Sequence, residues 1–156
     1  MKRETFFLKV VVFIIGLPIA AILTWLTYDL ITVPKTKEFT IFIPMVLVLY
    51  LAAIPYFNAL FQTNKLLTYI DQNNAFSTLS VHALKKIKLC AIIISVLFII
   101  DLPFLFRIAE LDDAPGIVLF SLIIVFASMV IAVFAAVLQK LLTSALEIKS
   151  ENDLTI

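Results

Sequence analysis

The sequence predicts an all-α integral membrane protein, a four-helix bundle of two transmembrane hairpins joined by a cytoplasmic helical stalk. Three observations carry this. Of the 156 residues, 63% are hydrophobic and mean hydropathy is +1.12, against roughly half apolar residues in soluble domains. A soluble fold has no means of covering that much apolar surface, so the bilayer is its solvent. The apolar residues also fall into four runs of about 20, the length a helix needs to cross a hydrocarbon core about 30 Å thick. Finally, the only long polar segment, residues 61–88, divides the chain into two apolar halves, each holding a pair of runs.

The first span is placed at residues 10–28, behind a short basic flank of Lys2, Arg3 and Lys9. Its apolar run outlasts the h-region of a secretory signal. The candidate cleavage points near Ala20 and Ala21 put Pro18 or Ile19 where a small residue is required, so the span stays attached. Gly16 and Ala20 form a small-xxx-small pair suited to close helix contact, and Pro18 between them kinks the helix. A polar loop with Pro34, Lys35 and Lys37 leads into the second span, 39–61, which contains Pro44 and Pro55. Helix continuing to Ile70 would reach about 46 Å, which leaves about three turns beyond the hydrocarbon.

Those turns begin the stalk, residues 62–88. Asp71, Gln72, Asn73 and Asn74 compete with helix by bonding their own backbone, so the chain turns there. Ser77 is an N-cap, with Phe76 and Val81 placed as a hydrophobic staple, and a new helix starts near Thr78. It carries the third span, 89–108, with Asp101 and Pro103 inside. The loop 109–114 holds Glu110, Asp112 and Asp113. Asp113 is read as the cap of the fourth span, with Pro115 in the first turn, where its missing N–H is harmless. The fourth span, 116–138, has no charge or proline. Ser128, Ala132 and Ala136 recur every fourth residue and offer a packing groove. In the tail, 139–156, the face Leu138–Leu141–Ala145–Ile148 is expected to lean on the stalk, and residues 150–156 to fray. No internal repeat interrupts this single domain, 1–156.

Orientation follows from positive charge. Nine of the twelve lysines and arginines lie in the N-terminal flank, stalk and tail; the other loops hold Lys35, Lys37 and Arg107. Both termini and the stalk are therefore expected in the cytoplasm. A net charge of +1 lacks the concentrated basic face of a nucleic-acid binder, so no direct nucleic-acid contact is expected. The single cysteine, Cys90, excludes a disulfide within the chain.

Candidate chemistry is sparse. Asp101 stands out, because a carboxylate at the bilayer centre costs about 2.5–3.5 kcal/mol on insertion scales. It reads either as a proton- or cation-coupling group or as an aspartate bonded to Thr24 or Thr27 of the first span, or reached by outer water beside the Pro103 kink. The lack of an intramembrane cationic partner favours the second reading. Asp112 and Asp113, with Glu110, Asp29 and Glu38, read as a divalent-cation cluster or, more simply, as cap and dipole partners. His82 lacks the second His or Cys that a zinc site needs. Lys85, Lys86 and Lys88 lie where anionic headgroups or a partner would meet them. No phosphate loop, nucleophile elbow, HExxH or paired-cysteine motif is present, so no enzyme, cofactor or metal is expected.

The run IDQNNAFSTLSVHALKKIK at 70–88, DDAPG at 112–116 and LEIKSENDLTI at 146–156 together resemble the YoaS-like family of small four-span bacterial membrane proteins of unknown function. SENDLTI is the most specific piece, and the resemblance covers nearly the whole chain. It implies a bacterial inner membrane protein whose gene stands beside a helix-turn-helix regulator of the Cro type. It brings no established activity to carry over. The favoured reading is a non-enzymatic interaction or regulatory protein acting through stalk and tail on a cytoplasmic partner, the adjacent regulator by resemblance. The alternative is a small transporter or channel, a homo-oligomer, using Asp101.

Overall fold

The computed structural model describes residues 2–32 and 39–154. They form four helices: α1 (Lys2–Thr32), α2 (Phe39–Asp71), α3 (Thr78–Leu111) and α4 (Gly116–Leu154). Each is long and apolar enough to cross a membrane, and together they make a four-helix bundle. The first loop, with Pro34, Lys35, Lys37 and Glu38, lies outside the described residues. Helix pairs follow chain order: α1 packs on α2, α2 on α3 and α3 on α4, while α1 and α4 do not meet. Between them a cleft of about 530 Å³ opens, floored by α2 and α3.

Both ends of α3 are set by local chemistry. Ser77, with extended backbone (φ −143°, ψ 160°), caps its start by accepting from the Ser80 N–H, as its residue type predicts. The staple is weak, since Phe76 remains 64% exposed. Upstream, α2 ends in a Schellman motif. The Asn74 N–H donates to the Tyr69 carbonyl (2.7 Å) and the Asn73 N–H to Ile70 (3.2 Å), with Asn73 left-handed at φ 59°. A related closure ends α3, where the Ala114 N–H donates to Ala109 (2.9 Å) and Asp113 takes φ 51°. Asp and Asn are the non-glycine residues best suited to this region. Asp113 therefore terminates α3 and does not cap α4; in the left-handed conformation its backbone is committed to the preceding helix.

The α3–α4 seam is a heptad seam. Val118, Ser121, Val125, Ser128, Ala132 and Ala135 are buried, alternating by three and four residues, the spacing that keeps one stripe of a helix on its partner. Ser128 and Ala132 take the packing role read from the sequence. Ala136 stands half-buried at the seam's edge, and Ala135 holds the next place. A straight every-fourth-residue row drifts about 40° per step around the helix, so its last member leaves the contact. The same drift separates Gly16 from Ala20. A Cβ on Gly16 would lie 3.2 Å from the Leu60 Cδ1 of α2, so α1 and α2 approach closely there, whereas Ala20 is exposed.

The tail differs most from expectation. Residues 150–154 remain helical, and the face that turns inward is Gln139–Leu142–Leu146, the continuation of the heptad seam, while Leu141 and Ile148 are exposed. Length explains this. The Ser95 hydroxyl donates to the Val125 carbonyl (3.5 Å), which sets the α3–α4 register. By helical rise the start of α3 at Thr78 then stands level with about residue 142. The tail overshoots the start of α3: Ala145, from the expected face, and Leu146 are its last half-buried residues, and 147–154 are exposed throughout.

The start of α1 is tied to the tip of α2. The Thr5 hydroxyl bonds both the Lys2 carbonyl (3.1 Å) and Asp71 Oδ1, and Lys9 Nζ lies 3.3 Å from Asp71 Oδ2. The stretch read from sequence as a basic flank is thus the first two turns of α1, laid along the stalk. The Thr5 hydrogen bond holds the Asp71 carboxyl below the usual carboxylate range, and Lys9 adds to this.

Two outcomes follow from this packing. Ala132→Leu overfills the seam and should destabilise the bundle by about 1–3 kcal/mol, read as a lowered Tm in detergent, while Val130→Leu on an exposed position stays near wild type. For Asp71, a carboxyl with a lowered folded pKa adds stability that is present above its ordinary value and lost as pH falls through the folded value. Amide hydrogen exchange in residues 2–9, taken relative to its intrinsic rate at each pH, should therefore speed up as pH drops below the ordinary Asp range. In Asp71→Asn it should already be fast at neutral pH. Slow exchange in that variant at neutral pH would show that the contact does not hold α1.

Candidate functional site

The polar groups within the apolar part of the bundle start with those that merely satisfy backbone. A proline deprives the carbonyl four residues earlier of its donor. At the Pro18 kink, the Tyr56 hydroxyl of α2 donates to the Ile15 carbonyl (2.9 Å), beside the Ile14 carbonyl that Pro18 leaves unbonded. Nearer the other end, Tyr50 bonds the Thr27 hydroxyl and also reaches the Leu23 carbonyl at 3.3 Å. Thr24 and Thr27 each donate to the carbonyl one turn back, at 2.8 Å. The bonds of Tyr50 and Tyr56 tie α1 to α2 where apolar burial contributes no association energy, because lipid is as apolar as the side chains.

Asp101 is different in kind. It is 1% exposed, and neither carboxyl oxygen has a hydrogen-bond partner among the described residues. The expected bond to Thr24 or Thr27 is not made: both threonines belong to α1, and α1 does not pack on α3. The other buried side-chain oxygen without a partner is Ser121 Oγ, on a residue 3% exposed. The Ser95–Val125 contact places the two at nearly one depth. Asp101 is six residues beyond Ser95 and Ser121 four beyond Val125 toward the same end, a difference of about 3 Å by helical rise. No charged residue occurs in α2 between 39 and 61 or in α4 between 116 and 139, so no cation on the neighbouring spans offsets Asp101. A buried carboxyl and hydroxyl left unsatisfied at one depth are costly, and a proton, a water or a small cation would relieve them. Ser121 was missed from the sequence; its one signal is its position seven residues before Ser128 in the heptad seam.

The other sequence candidates disperse. Glu110, Asp112 and Asp113 are exposed, and among the described residues no three acidic, His or Cys side chains gather as metal ligands. His82 is exposed on the stalk and Cys90 is buried. Lys85 and Lys86 are exposed, whereas Lys88 is half-buried at the end of a second groove of about 430 Å³ between α3 and α4. The first cleft is almost wholly apolar, with Tyr56, Thr63 and Ser128 as its polar lining.

Comparison with known proteins gives a consistent picture. The chain is 49% identical over 164 residues to the "Uncharacterized membrane protein YoaS" of Bacillus subtilis (strain 168), an alignment covering 99% of both chains. No solved structure matches. The bundle of four membrane-length helices agrees with a membrane protein. Residues 8–156 match the profile of the family described as "Protein of unknown function (DUF2975)", and the chain belongs to that family.

Proposed function

We propose that this membrane protein is a non-enzymatic interaction or regulatory protein whose stalk and tail, on the cytoplasmic side, engage a soluble partner. The supporting observation is the overshooting end of α4. Past the level of the start of α3 the helix carries Ile148 (67% exposed) and Leu154 (84% exposed) with no element over them, and Leu141, at that level and 62% exposed, lies on the same face as Ile148. A helix that shows apolar residues at i and i+7 to water is suited to the groove of another protein. Exposed Phe76 and Leu79 at the stalk tip add to the same surface. The cytoplasmic placement rests on the excess of lysine and arginine at this end, and the helix-turn-helix regulator implied by the family resemblance is the partner of choice.

A photo-crosslinking amino acid at Ile148, in intact cells, should capture a cytoplasmic protein, and Leu141→Asp should abolish that product without lowering the amount of membrane protein. Capture of a protein from the outer side would overturn the orientation. The same product in Leu141→Asp would overturn the apolar face as the docking surface.

Asp101 supports a second reading, a small oligomeric transporter or channel, because an intramembrane acid without a partner is a common mark of an ion path. Asp101→Asn keeps the size and much of the bonding capacity of the side chain but removes the ionisable group. In proteoliposomes the regulatory reading expects no ion-dependent flux from wild type and unchanged folding of the variant. A wild-type flux that the folded Asn variant loses would favour transport.

A further inference from the structure

The groove that ends at Lys88 lies on the opposite side of the α3–α4 pair from the large cleft. It is lined by α3 and α4 alone. Its walls include Ile92 and Ile99 of α3 and Met129, Val133 and Ala136 of α4. The one other polar lining residue, Ser95, turns its hydroxyl toward the Val125 carbonyl. From Lys88 to Ile99 the α3 wall runs about 16 Å by helical rise, close to half the thickness of a hydrocarbon core. By the Ser95–Val125 register Lys88 stands level with about Ala132, so its charge faces the α4 wall of Met129–Ala136, and the apolar α3 wall runs on from it to Ile99 over about half a hydrocarbon thickness.

The span bounds read from the sequence, 39–61 and 89–108, put Lys88 at the membrane boundary. Lys88 and Phe61 are each ten residues from their helix ends at the α2–α3 turn, Thr78 and Asp71, so they share a level. There Lys65 Nζ sits 4.8 Å over the Phe61 ring, a second cation near this level. Lys85, three residues earlier, is on the same face of α3 as Lys88. The ion pair among the described residues is Lys9–Asp71, so the charge of Lys88 is not taken up by a carboxylate there.

We propose that this groove binds one anionic phospholipid, with an acyl chain against Ile92–Ile99 and Met129 and the phosphate at Lys88 and Lys85, beside Val133 and Ala136. The proposal is independent of the regulatory reading. A second copy of the chain fits the groove less well. Two copies of the same orientation are related by an axis along the membrane normal, which would set Lys88 beside Lys88 of the partner at one depth, a like-charge contact. The large cleft, although apolar, has no cation in its lining and does not match an amphiphile in this way.

Native mass spectrometry of the full-length protein, released from detergent with phosphatidylglycerol or phosphatidylcholine of identical chains, tests the assignment. Wild type should keep one phosphatidylglycerol per chain, with roughly fivefold preference over phosphatidylcholine. Lys88→Gln should remove the preference and Lys88→Arg retain it. Val133→Trp, which fills the groove from an exposed position, should reduce retention of both lipids. Equal retention of the two lipids by wild type, an unchanged preference in Lys88→Gln, or a dimer that Val133→Trp dissolves would overturn the proposal. If Lys88→Gln does not fold, the wild-type lipid comparison and Val133→Trp decide the question.

Discussion

The structure depends first on a rule of the bilayer: a backbone N–H or C=O in hydrocarbon finds its partner inside the protein or stays unsatisfied at a cost of several kcal/mol. Four long helices meet most of that demand. Pro18, Pro44, Pro55 and Pro103 lie inside them, and each deprives one carbonyl of its donor. Near Pro18 the Tyr56 hydroxyl donates to the Ile15 carbonyl, next to the one the proline leaves open, and so bonds α2 to α1 at the kink. At the two tight turns the orphan carbonyls are closed by Schellman-type bonds with Asn73 and Asp113 in the left-handed region. Polar side chains in this protein thus act mainly as completions of the backbone.

Within that frame α3 is the central element. It packs on α2 along one side and on α4 along another, and nine of its residues are buried, whereas Thr5 alone is buried in α1. The small residues Ser121, Ser128, Ala132 and Ala135 let α4 approach α3 closely, which matters in lipid because close packing, and not apolar transfer, drives helix association there. Asp101 lies in this most protected helix. A carboxyl exposed to lipid would be tolerated only near the headgroups, and its burial inside α3 makes its state a property of the bundle's interior.

Much of this was legible in the sequence. The four helices, the Ser77 cap, the start at Thr78 and the packing of α2 on α3 follow from period and turn chemistry, which are local. The phase of the α4 seam was not legible, because a span apolar on every face carries no contrast between lipid-facing and helix-facing residues; an every-fourth-residue row and a heptad stripe share Ser128 and Ala132 and part only at 135–136. The tail face was misread because its orientation depends on how far the stalk reaches, a comparison of lengths between different helices. Asp71 reads as a turn former, and its bond to Thr5 joins residues 66 positions apart. The Asp101 surroundings depend on which helices touch, and the sequence does not reveal that α1 and α4 stay apart.

That separation bears on how the protein is made. Every helix packs only on its neighbours in the chain, so each span that leaves the ribosome finds its partner already in the membrane. The Thr5–Asp71 contact completes when α2 ends, and the α3–α4 seam when α4 emerges. No last step requires the final helix to search for the first, and assembly proceeds in the order of synthesis, with no ring to close.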